Sequence, residues 1–542
     1  MDAASPALLE QVSAAGRLPN LRALMERGLS GDVRSVDGFF VGSTWPSFQT
    51  GLSPAKHGLH YLTQLKPGTY AYYRKAEGEF IHGDPFWRQL RRAGLRAAVL
   101  DVPLTRLDAP GSSSQAGAQT GSEGDRDRRS KQASPARDAG EAREDDDLHV
   151  VEWGSHDAVY GFRAAPAGLD ADILSRFGPH PFSTSCDAIE RTAEGYSAFI
   201  DSLVRGVRLK SALTRHYLSS GERDFFMQVF TEAHCAGHQC WHVHDRTHPS
   251  HDPAIAERLG DPVERVYAAI DEAIGEILSD AGDTTVFVVS AHGMSHAFGA
   301  HFLLHEMLFR LGVSVAPWNA SGRSRLRNAA TGAARRVWRR LPDSMRTGLL
   351  PVRERMRRAA DGLPRLRVDP AKSLCFPVHN GLAVGGIRLN LAGREPQGRL
   401  TEREVDGFCD DLCEALLSIV DDETGEPVVK RVVRTGLDAL PDLLVEWSDT
   451  RKLGTTMLAG GAGATLRVRS PRTGLIEGVN DYGRTGEHRI GGMFVAAGPG
   501  ISPGRLESAV SVMDFAPTFA RLLGVDLTMC DGEPIGIPRV RD

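Results

Sequence analysis

Residues 226–244, FMQVFTEAHCAGHQCWHVH, place an apolar β-rich run directly before a cluster of histidines. The run Phe225–Phe230 is typical of a strand, and side chains that can bind a ligand begin within a few positions of its end. His234 and His238 are four positions apart, so on a helical turn their imidazoles share one face and could bind one metal ion. The alternative is a polar loop whose histidines have no common role. The spacing favours the metal-binding interpretation.

Similar apolar runs recur along the chain and alternate with helical patterns. The runs are Ala97–Leu100, Thr285–Val289, Leu443–Glu446 and Gly492–Ala497, and the helical patterns include Pro19–Arg27 and Pro262–Ser279. This alternation is typical of an α/β fold with a largely parallel central sheet and helices on both faces. Functional residues collect at the carboxyl ends of strands in such sheets, and the histidines follow the predicted strands closely.

Two further histidines lie beside predicted strands. His292 directly follows a β run, and the glycine after it would let the backbone approach a ligand closely. His488 precedes another apolar run and is flanked by Arg484 and Arg489, which would suit an anion. Each histidine alone also fits a structural role, so the hypothesis of a shared site depends on the whole set.

A pair of hydroxyl groups stands at a predicted helix start. In VGSTWPSFQTGLSPAKHG, residues 41–58, Ser43 and Thr44 come just before Pro46, which is suited to the first position of a helix. A hydroxyl at such a position lies at the positive end of the helix dipole, where phosphate or another oxyanion is stabilised. Simple helix capping would explain the same residues equally well.

The composition is that of a large globular protein. The chain has 542 residues, 41% of them hydrophobic and 25% charged, and a formal net charge of −5. This charge gives no chain-wide basic surface, so we expect no sequence-specific nucleic-acid partner. There is no apolar run of about 18 residues and no signal-peptide pattern. The seven cysteines lack a paired CxxC spacing. We therefore expect reduced thiols and a cytoplasmic location.

Six motifs occur in order along the chain. They are GRLPNLRALMERG (16–28), TGLSPAKHG (50–58), GGIRLNLAGREPQG (385–398), PDLLVEW (441–447), TGEHRIGGMFVAAGPGI (485–501), and VMDFAPTFARLLGV with CDGEPI (512–525 and 530–535). In this order they resemble the type I phosphodiesterase/nucleotide pyrophosphatase group of the alkaline phosphatase superfamily. The resemblance runs from Asp2 to Ile535 apart from two insertions. It implies an alkaline-phosphatase-like three-layer α/β/α fold with a mostly parallel central sheet and an inserted cap.

The resemblance also implies one or two zinc ions beside a Thr, Ser or modified Cys nucleophile. One ion would be bound by His234, His238 and His488. His234 departs from the family pattern, which usually has Asp at that position. Three histidines still form a sound zinc site with one open position, so we expect this metal to be retained.

The second metal position and the nucleophile depart further from the family. The positions that correspond to the second set of ligands are Asp2, Ala291 and His292. Alanine cannot bind a metal, so this position has lost a carboxylate. An ungapped count from TGLSPAKHG puts Val41 at the nucleophile position, whereas a short deletion aligns Thr44 with it. We favour Thr44, with Ser43 second.

The resemblance divides the chain into five parts. We expect a catalytic core built from 1–106, 148–312 and 396–542. The Gly-, Ser- and Ala-rich residues 107–147 predict a disordered insertion because they offer few apolar side chains for burial. The Arg-rich sequence within 313–395 predicts a basic helical cap and a cap strand, either simply solvated or in weak contact with an anionic membrane.

The expected activity is metal-dependent hydrolysis of a phosphate ester, with a small phosphodiester or nucleotide-like substrate. Thr44, or a water activated at the metal, would attack phosphorus. The alternatives are a sulfate or phosphonate ester hydrolase of the same superfamily and a catalytically inactive binding protein that retains the fold. Because Asp2 falls where the family ends its first strand, we also expect residues upstream of Met1.

Overall fold

The computed structural model describes residues 1–538 apart from 75–81, 108–146, 157, 159–160, 183–185, 188, 318–365, 437–439 and 528. Nearly all of the predicted insertion 107–147 and the Arg-rich part of 313–395 lie outside the described residues. The disordered insertion, the basic helical cap and its membrane contact therefore stay predictions. Within the described ranges, no helix has the length and apolar character needed to cross a membrane.

Helices and strands alternate along the described chain. In chain order the α-helices are α1 (Pro6–Ala14), α2 (Pro19–Arg27), α3 (Thr44–Thr50), α4 (Pro54–His57), α5 (Phe86–Arg92), α6 (Leu169–Phe177), α7 (Ala193–Ser219), α8 (Glu232–His244), α9 (Pro253–Leu259), α10 (Pro262–Ala281), α11 (Leu304–Arg310), α12 (Val405–Leu417) and α13 (Phe515–Leu522). The strands are β1 (Leu29–Arg34), β2 (Thr63–Leu65), β3 (Tyr72–Arg74), β4 (Ala97–Leu100), β5 (Leu148–Val151), β6 (Arg163–Ala165), β7 (Phe225–Gln228), β8 (Val286–Ser290), β9 (Gly293–His296), β10 (Cys375–Val378), β11 (Val384–Leu389), β12 (Val420–Asp421), β13 (Val429–Arg434), β14 (Leu443–Trp447), β15 (Thr465–Ser470), β16 (Gly474–Val479), β17 (Gly486–Arg489), β18 (Gly491–Ala497), β19 (Gly504–Arg505) and β20 (Val510–Ser511). The predicted α/β class is confirmed.

Two mixed sheets lie beside the predicted site. One has the strand order β19-β1-β18-β8, with β20 also paired with β1, and the other has the order β6-β5-β4-β7. The largely parallel arrangement that we predicted is not observed. β18 is antiparallel to both β1 and β8, whereas β4 is parallel to β5 and β7. Strand–helix alternation constrains only strands that follow one another in sequence, and β18 enters its sheet from the distant C-terminal part of the chain.

A cleft of about 960 Å³ separates these two sheets, and it is lined by both β7 and β8. Among the described strands, β7 is hydrogen bonded only to β4, and β8 only to β18. At the carboxyl ends of the two strands, the Met1 backbone nitrogen donates to the Val289 carbonyl at 2.8 Å, and the Asp2 N–H donates to the Phe230 carbonyl at 2.9 Å. The first two residues thus bridge the sheets where the histidines collect.

The first residue of α8 belongs to a group of buried charged side chains. The Lys210 ammonium lies 3.2 Å from the Glu232 carboxylate and 3.7 Å from the Asp101 carboxylate. His180 lies 3.2 Å from the same Glu232 side chain. Because Glu232 is the first residue of α8, this group of charges fixes the helix directly behind β7. Apolar side chains of α7, α8 and α10 then pack in one core cluster, which holds α8 against β18.

Candidate metal centre

The three histidines predicted for the first metal position meet in space. His234 and His238 lie one turn apart on α8, and His488 lies on β17. The Nε2 atom of His238 is 3.2 Å from Nε2 of His234 and 3.1 Å from Nε2 of His488. All three side chains are buried, and their ligand atoms lie within 4.8 Å of one another. We call this set the three-histidine group.

The chemistry of the three-histidine group fits a divalent cation. Burial, the largest cause in each case, lowers the pKa values of His234, His238 and His488 well below their usual range, so the rings are neutral. The Nδ1–H of His238 donates to the Gly486 carbonyl at 2.7 Å, which leaves a lone pair on Nε2. Within the described structure, the buried Nδ1 atoms of His234 and His488 have no hydrogen-bond partner. A cation would satisfy the converging lone pairs, and zinc accepts three histidines with one position open.

Two glycines allow β17 to approach α8 closely. A Cβ atom on Gly486 would lie 2.2 Å from the Gly237 carbonyl oxygen, a distance that real Cβ atoms do not reach. A Cβ on Gly237 would in turn lie 2.7 Å from the Met294 side chain on β9. β9 pairs with β17, with His488 opposite Met294. The missing side chains therefore let the helix and the hairpin bring His488 to the other two histidines.

The second predicted metal position is only partly assembled. His292 is buried, and its ring centre lies 4.7 Å from that of His488. Burial lowers the pKa of His292, and the Asp2 carboxylate opposes this shift. Asp2 also accepts a hydrogen bond of 2.9 Å from the Trp45 indole. Among the described residues, neither Asp2 nor His292 belongs to a group of three or more ligand atoms within 4.8 Å of one another, and Ala291 contributes no ligand.

The two candidate nucleophiles lie at the start of α3, which begins two residues before the predicted first position at Pro46. Thr44 is its first residue and Ser43 precedes it, and both side chains are buried. The Thr44 hydroxyl donates to the Phe40 carbonyl at 2.7 Å and lies 2.6 Å from the Ser35 hydroxyl. The Ser43 hydroxyl donates to the Leu59 carbonyl at 2.8 Å and does not cap the helix, which removes the capping explanation for Ser43. For both residues the nucleophilic role stays a prediction.

The two arginines that flank His488 in sequence, Arg484 and Arg489, contact different groups. A guanidinium nitrogen of Arg484 lies 3.2 Å from Nε2 of His238, and Asp187 binds the same guanidinium at 2.8 Å. Arg489 instead stacks over the Phe298 ring, with 3.8 Å between the guanidinium carbon and the ring centre. Burial lowers the pKa of Arg489 to about 10. Arg484 is therefore the arginine that faces the three-histidine group.

A second set of possible ligands was missed by sequence reasoning. Nδ1 of His156 lies 3.6 Å from Sγ of Cys235, and the ring centres of His156 and His234 are 4.1 Å apart. The ligand atoms of His156, His234 and Cys235 all lie within 4.8 Å of one another. Cys186, whose Sγ accepts a hydrogen bond of 3.7 Å from the Gln239 side chain, is a further buried cysteine. We call His156, His234 and Cys235 the thiol–histidine cluster.

Comparison with known proteins gives one family and several structural neighbours. The chain matches the type I phosphodiesterase/nucleotide pyrophosphatase family over residues 1–366. It is similar to phosphonoacetate hydrolase from Sinorhizobium meliloti 1021 in complex with phosphonoformate, with a TM-score of 0.48, 13% identity, and coverage of 97% of this chain and 94% of that chain. For murine ectonucleotide pyrophosphatase/phosphodiesterase 5, the TM-score is 0.39, the identity 11%, and the coverage 95% and 92%. None of the curated proteins matches. The family match supports a phosphoester hydrolase.

Proposed function

Because this chain belongs to the type I phosphodiesterase/nucleotide pyrophosphatase family, we propose that it is a metal-dependent hydrolase of phosphate esters, with a phosphodiester or nucleotide-like substrate. The observation that carries the proposal is the convergence of three buried imidazole nitrogens, with separations of 3.1 and 3.2 Å. The proposed fold is a three-layer α/β/α core with an inserted cap. The proposed partner is a small-molecule phosphate ester, and we propose no sequence-specific nucleic-acid partner.

His234, His238 and His488 would hold one divalent cation, zinc in the first instance. When bound, the cation supplies Lewis-acid stabilisation of the negative charge that develops on the phosphoryl oxygens. The Gly486 carbonyl orients His238 through its hydrogen bond of 2.7 Å to Nδ1. This contact fixes the ligand before substrate binds, so little reorganisation is needed during the reaction. The Asp2–His292 position would add little, because Ala291 leaves it without a third ligand.

Arg484 would orient the phosphate group. Its guanidinium is held by Asp187 at 2.8 Å and lies 3.2 Å from His238, so it presents N–H donors beside the three-histidine group. A planar guanidinium suits the paired oxygens of a phosphate. Tyr482 lies near the same guanidinium, with 5.4 Å between its ring centre and the guanidinium carbon. Removal of Arg484 should therefore weaken substrate binding more than it changes the metal content.

Thr44 is the proposed nucleophile. Its oxygen would bond to phosphorus as the ester P–O bond breaks, after the hydroxyl gives up its hydrogen bond to the Phe40 carbonyl, and the Ser35 hydroxyl at 2.6 Å would hold the oxygen in place. The Thr44 proton would pass through solvent to the departing alkoxide, and water would then hydrolyse the phosphothreonine. Ser43 is the second choice. Its hydroxyl also donates to a backbone carbonyl, that of Leu59, so the preference for Thr44 rests on its alignment with the Thr-x-Pro pattern of the family.

The test combines metal analysis with hydrolysis of bis(p-nitrophenyl) phosphate. We expect His238→Ala to bind one fewer zinc per chain and to lose turnover, while His82→Ala, an exposed histidine, changes neither. Thr44→Ala should reduce kcat by more than about 100-fold, the scale expected for one positioned catalytic group. Undiminished turnover after removal of all metal by a chelator would refute the proposal. Full activity of Thr44→Ala would refute only the choice of nucleophile.

Ala291 favours a second candidate function, a binding protein that retains the fold without catalysis. This interpretation predicts that phosphate or a nucleotide binds the zinc-loaded chain and that diester, monoester, phosphonate and sulfate probes are all left intact. Turnover of a phosphonate or sulfate probe alone would instead assign a related ester hydrolase. The same set of probes therefore separates the three possibilities.

A further inference from the structure

The thiol–histidine cluster lies directly beside the three-histidine group and shares His234 with it. His156 and Cys235 come from different parts of the chain, yet Nδ1 of His156 lies 3.6 Å from Sγ of Cys235. Cys235 and Cys186 are both buried. The mechanism proposed above uses neither cysteine nor His156. The cluster therefore needs a separate explanation.

A chain of hydrogen bonds runs beside the cluster. The Gln239 side-chain amide donates to Sγ of Cys186 at 3.7 Å and to the Asp187 carboxylate at 3.1 Å. The same Asp187 carboxylate binds Arg484, which faces the three-histidine group. Surrounding hydrogen bonds of this kind orient metal ligands in proteins. Gln239, four residues after Cys235 on α8, is thus connected through Asp187 to Arg484.

The second observation concerns His234 itself. Its Nε2 atom faces His238 at 3.2 Å, and its buried Nδ1 atom has no hydrogen-bond partner in the described part of the chain. A buried polar nitrogen without a partner is costly unless a ligand satisfies it. The ring of His156, 4.1 Å away centre to centre, presents a second imidazole on this side. A cation would satisfy these groups together.

We propose that the thiol–histidine cluster binds a second divalent cation of the thiophilic class, such as zinc or cobalt. The ligands are Cys235, His156 and Nδ1 of His234. His234 is shared with the three-histidine group as an imidazolate that binds one ion at each nitrogen, so its ring proton is released to solvent. Sulfur and imidazole ligands select zinc-like ions over magnesium and calcium, which prefer oxygen. A thiol that binds the ion releases its proton to solvent. The second ion thus has a position that does not need the carboxylate missing at Ala291.

The test uses the full chain, stripped of metal and reloaded with cobalt. A cobalt–thiolate bond gives a near-ultraviolet charge-transfer band, which three histidines cannot give. We expect two cobalt ions per chain and this band. Cys235→Ala and His156→Ala should each bind one fewer ion and lose the band. His238→Ala should keep it, although it loses the ion of the three-histidine group.

Cys409→Ala is the matched control, because Cys409 is also a buried cysteine on a helix but lies in a different core cluster. It should keep both ions and the band. His156 is only half-buried, so His156→Ala keeps the test decisive even if Cys235→Ala fails to fold. One cobalt per chain without the band, or a disulfide between Cys186 and Cys235 in freshly purified protein, would overturn the proposal. The readout does not depend on turnover, so it stands apart from the proposed hydrolase activity.

Discussion

Replacement of Lys210 by methionine tests how α8 is held in place. The Lys210 ammonium lies 3.2 Å from the Glu232 carboxylate and 3.7 Å from the Asp101 carboxylate, and all three side chains are about 1% exposed. The ammonium also donates to two backbone carbonyls, at 3.0 and 3.1 Å. Methionine has a similar length but no charge, so both carboxylates would remain buried without their cation.

The expected loss of unfolding free energy is about 3–5 kcal/mol at neutral pH, the cost of breaking a buried ion pair by removing one partner. Burial already raises the pKa of Asp101, against the effect of Lys210. For Glu232, burial is outweighed by Lys210 and His180, and the net pKa is low. Without Lys210 both folded-state pKa values should lie above their unfolded values of about 4. The deficit should therefore shrink as the pH falls and the carboxylates become protonated.

The assay is urea unfolding followed by circular dichroism at neutral and acidic pH. Lys430→Met, which removes an exposed lysine on β13, is the control and should stay within about 0.5 kcal/mol of the parent protein. The double variant Lys210→Met/Glu232→Gln should recover part of the loss, because one unpaired charge is removed. A loss below about 1 kcal/mol for Lys210→Met at neutral pH would refute the argument that this lysine compensates buried carboxylates.

Three further changes test other parts of the structure. Gly486→Ala should weaken zinc binding at least about tenfold in a titration, because its new Cβ would lie 2.2 Å from the Gly237 carbonyl. Gly491→Ala is the control and should leave zinc binding unchanged, because no atom lies within 4 Å of its new Cβ. Burial lowers the pKa of His149 to about 3, below its unfolded value of about 6.5. The buried neutral ring therefore costs nothing above a pH of about 6.5, whereas at pH 5 it lowers the free energy of unfolding by about 2 kcal/mol. His149→Leu should remove that part of the pH dependence of urea unfolding, and an unchanged dependence contradicts the argument. Arg484→Ala should raise KM for the diester while zinc content stays constant, and loss of zinc would contradict its role toward substrate.

Local patterns predicted much of the fold and the three-histidine group. The apolar run Ala97–Leu100 and the helix Pro19–Arg27 have the bounds expected from the sequence. The pairing of His234 and His238 was expected from their helical spacing, and their convergence with His488 from the resemblance to the family. Strand direction was not predictable in the same way, because antiparallel pairing of β18 with β1 and β8 is decided by tertiary contacts between distant segments.

The thiol–histidine cluster shows where sequence reasoning fails. Cys235 and His156 are 79 positions apart, so no short spacing marks them. The only local signal was a cysteine directly after His234, which the helical pattern does not distinguish from a core residue. Their proximity depends on how the segment after β5 folds against α8, and only tertiary structure reveals that.

The cleft between β7 and β8 has a consequence for how the molecule holds together. Among the described strands, the backbone hydrogen-bond ladder stops on each side of it, so the apolar packing of α7, α8 and α10 against β18 is what joins the two sheets there. His234 and His238 follow β7, whereas His488 leads into β18. A cation held by these three histidines therefore adds a second link between elements that follow the two sheets. We expect the urea midpoint of unfolding to rise with the free zinc concentration, because the ion binds the folded chain.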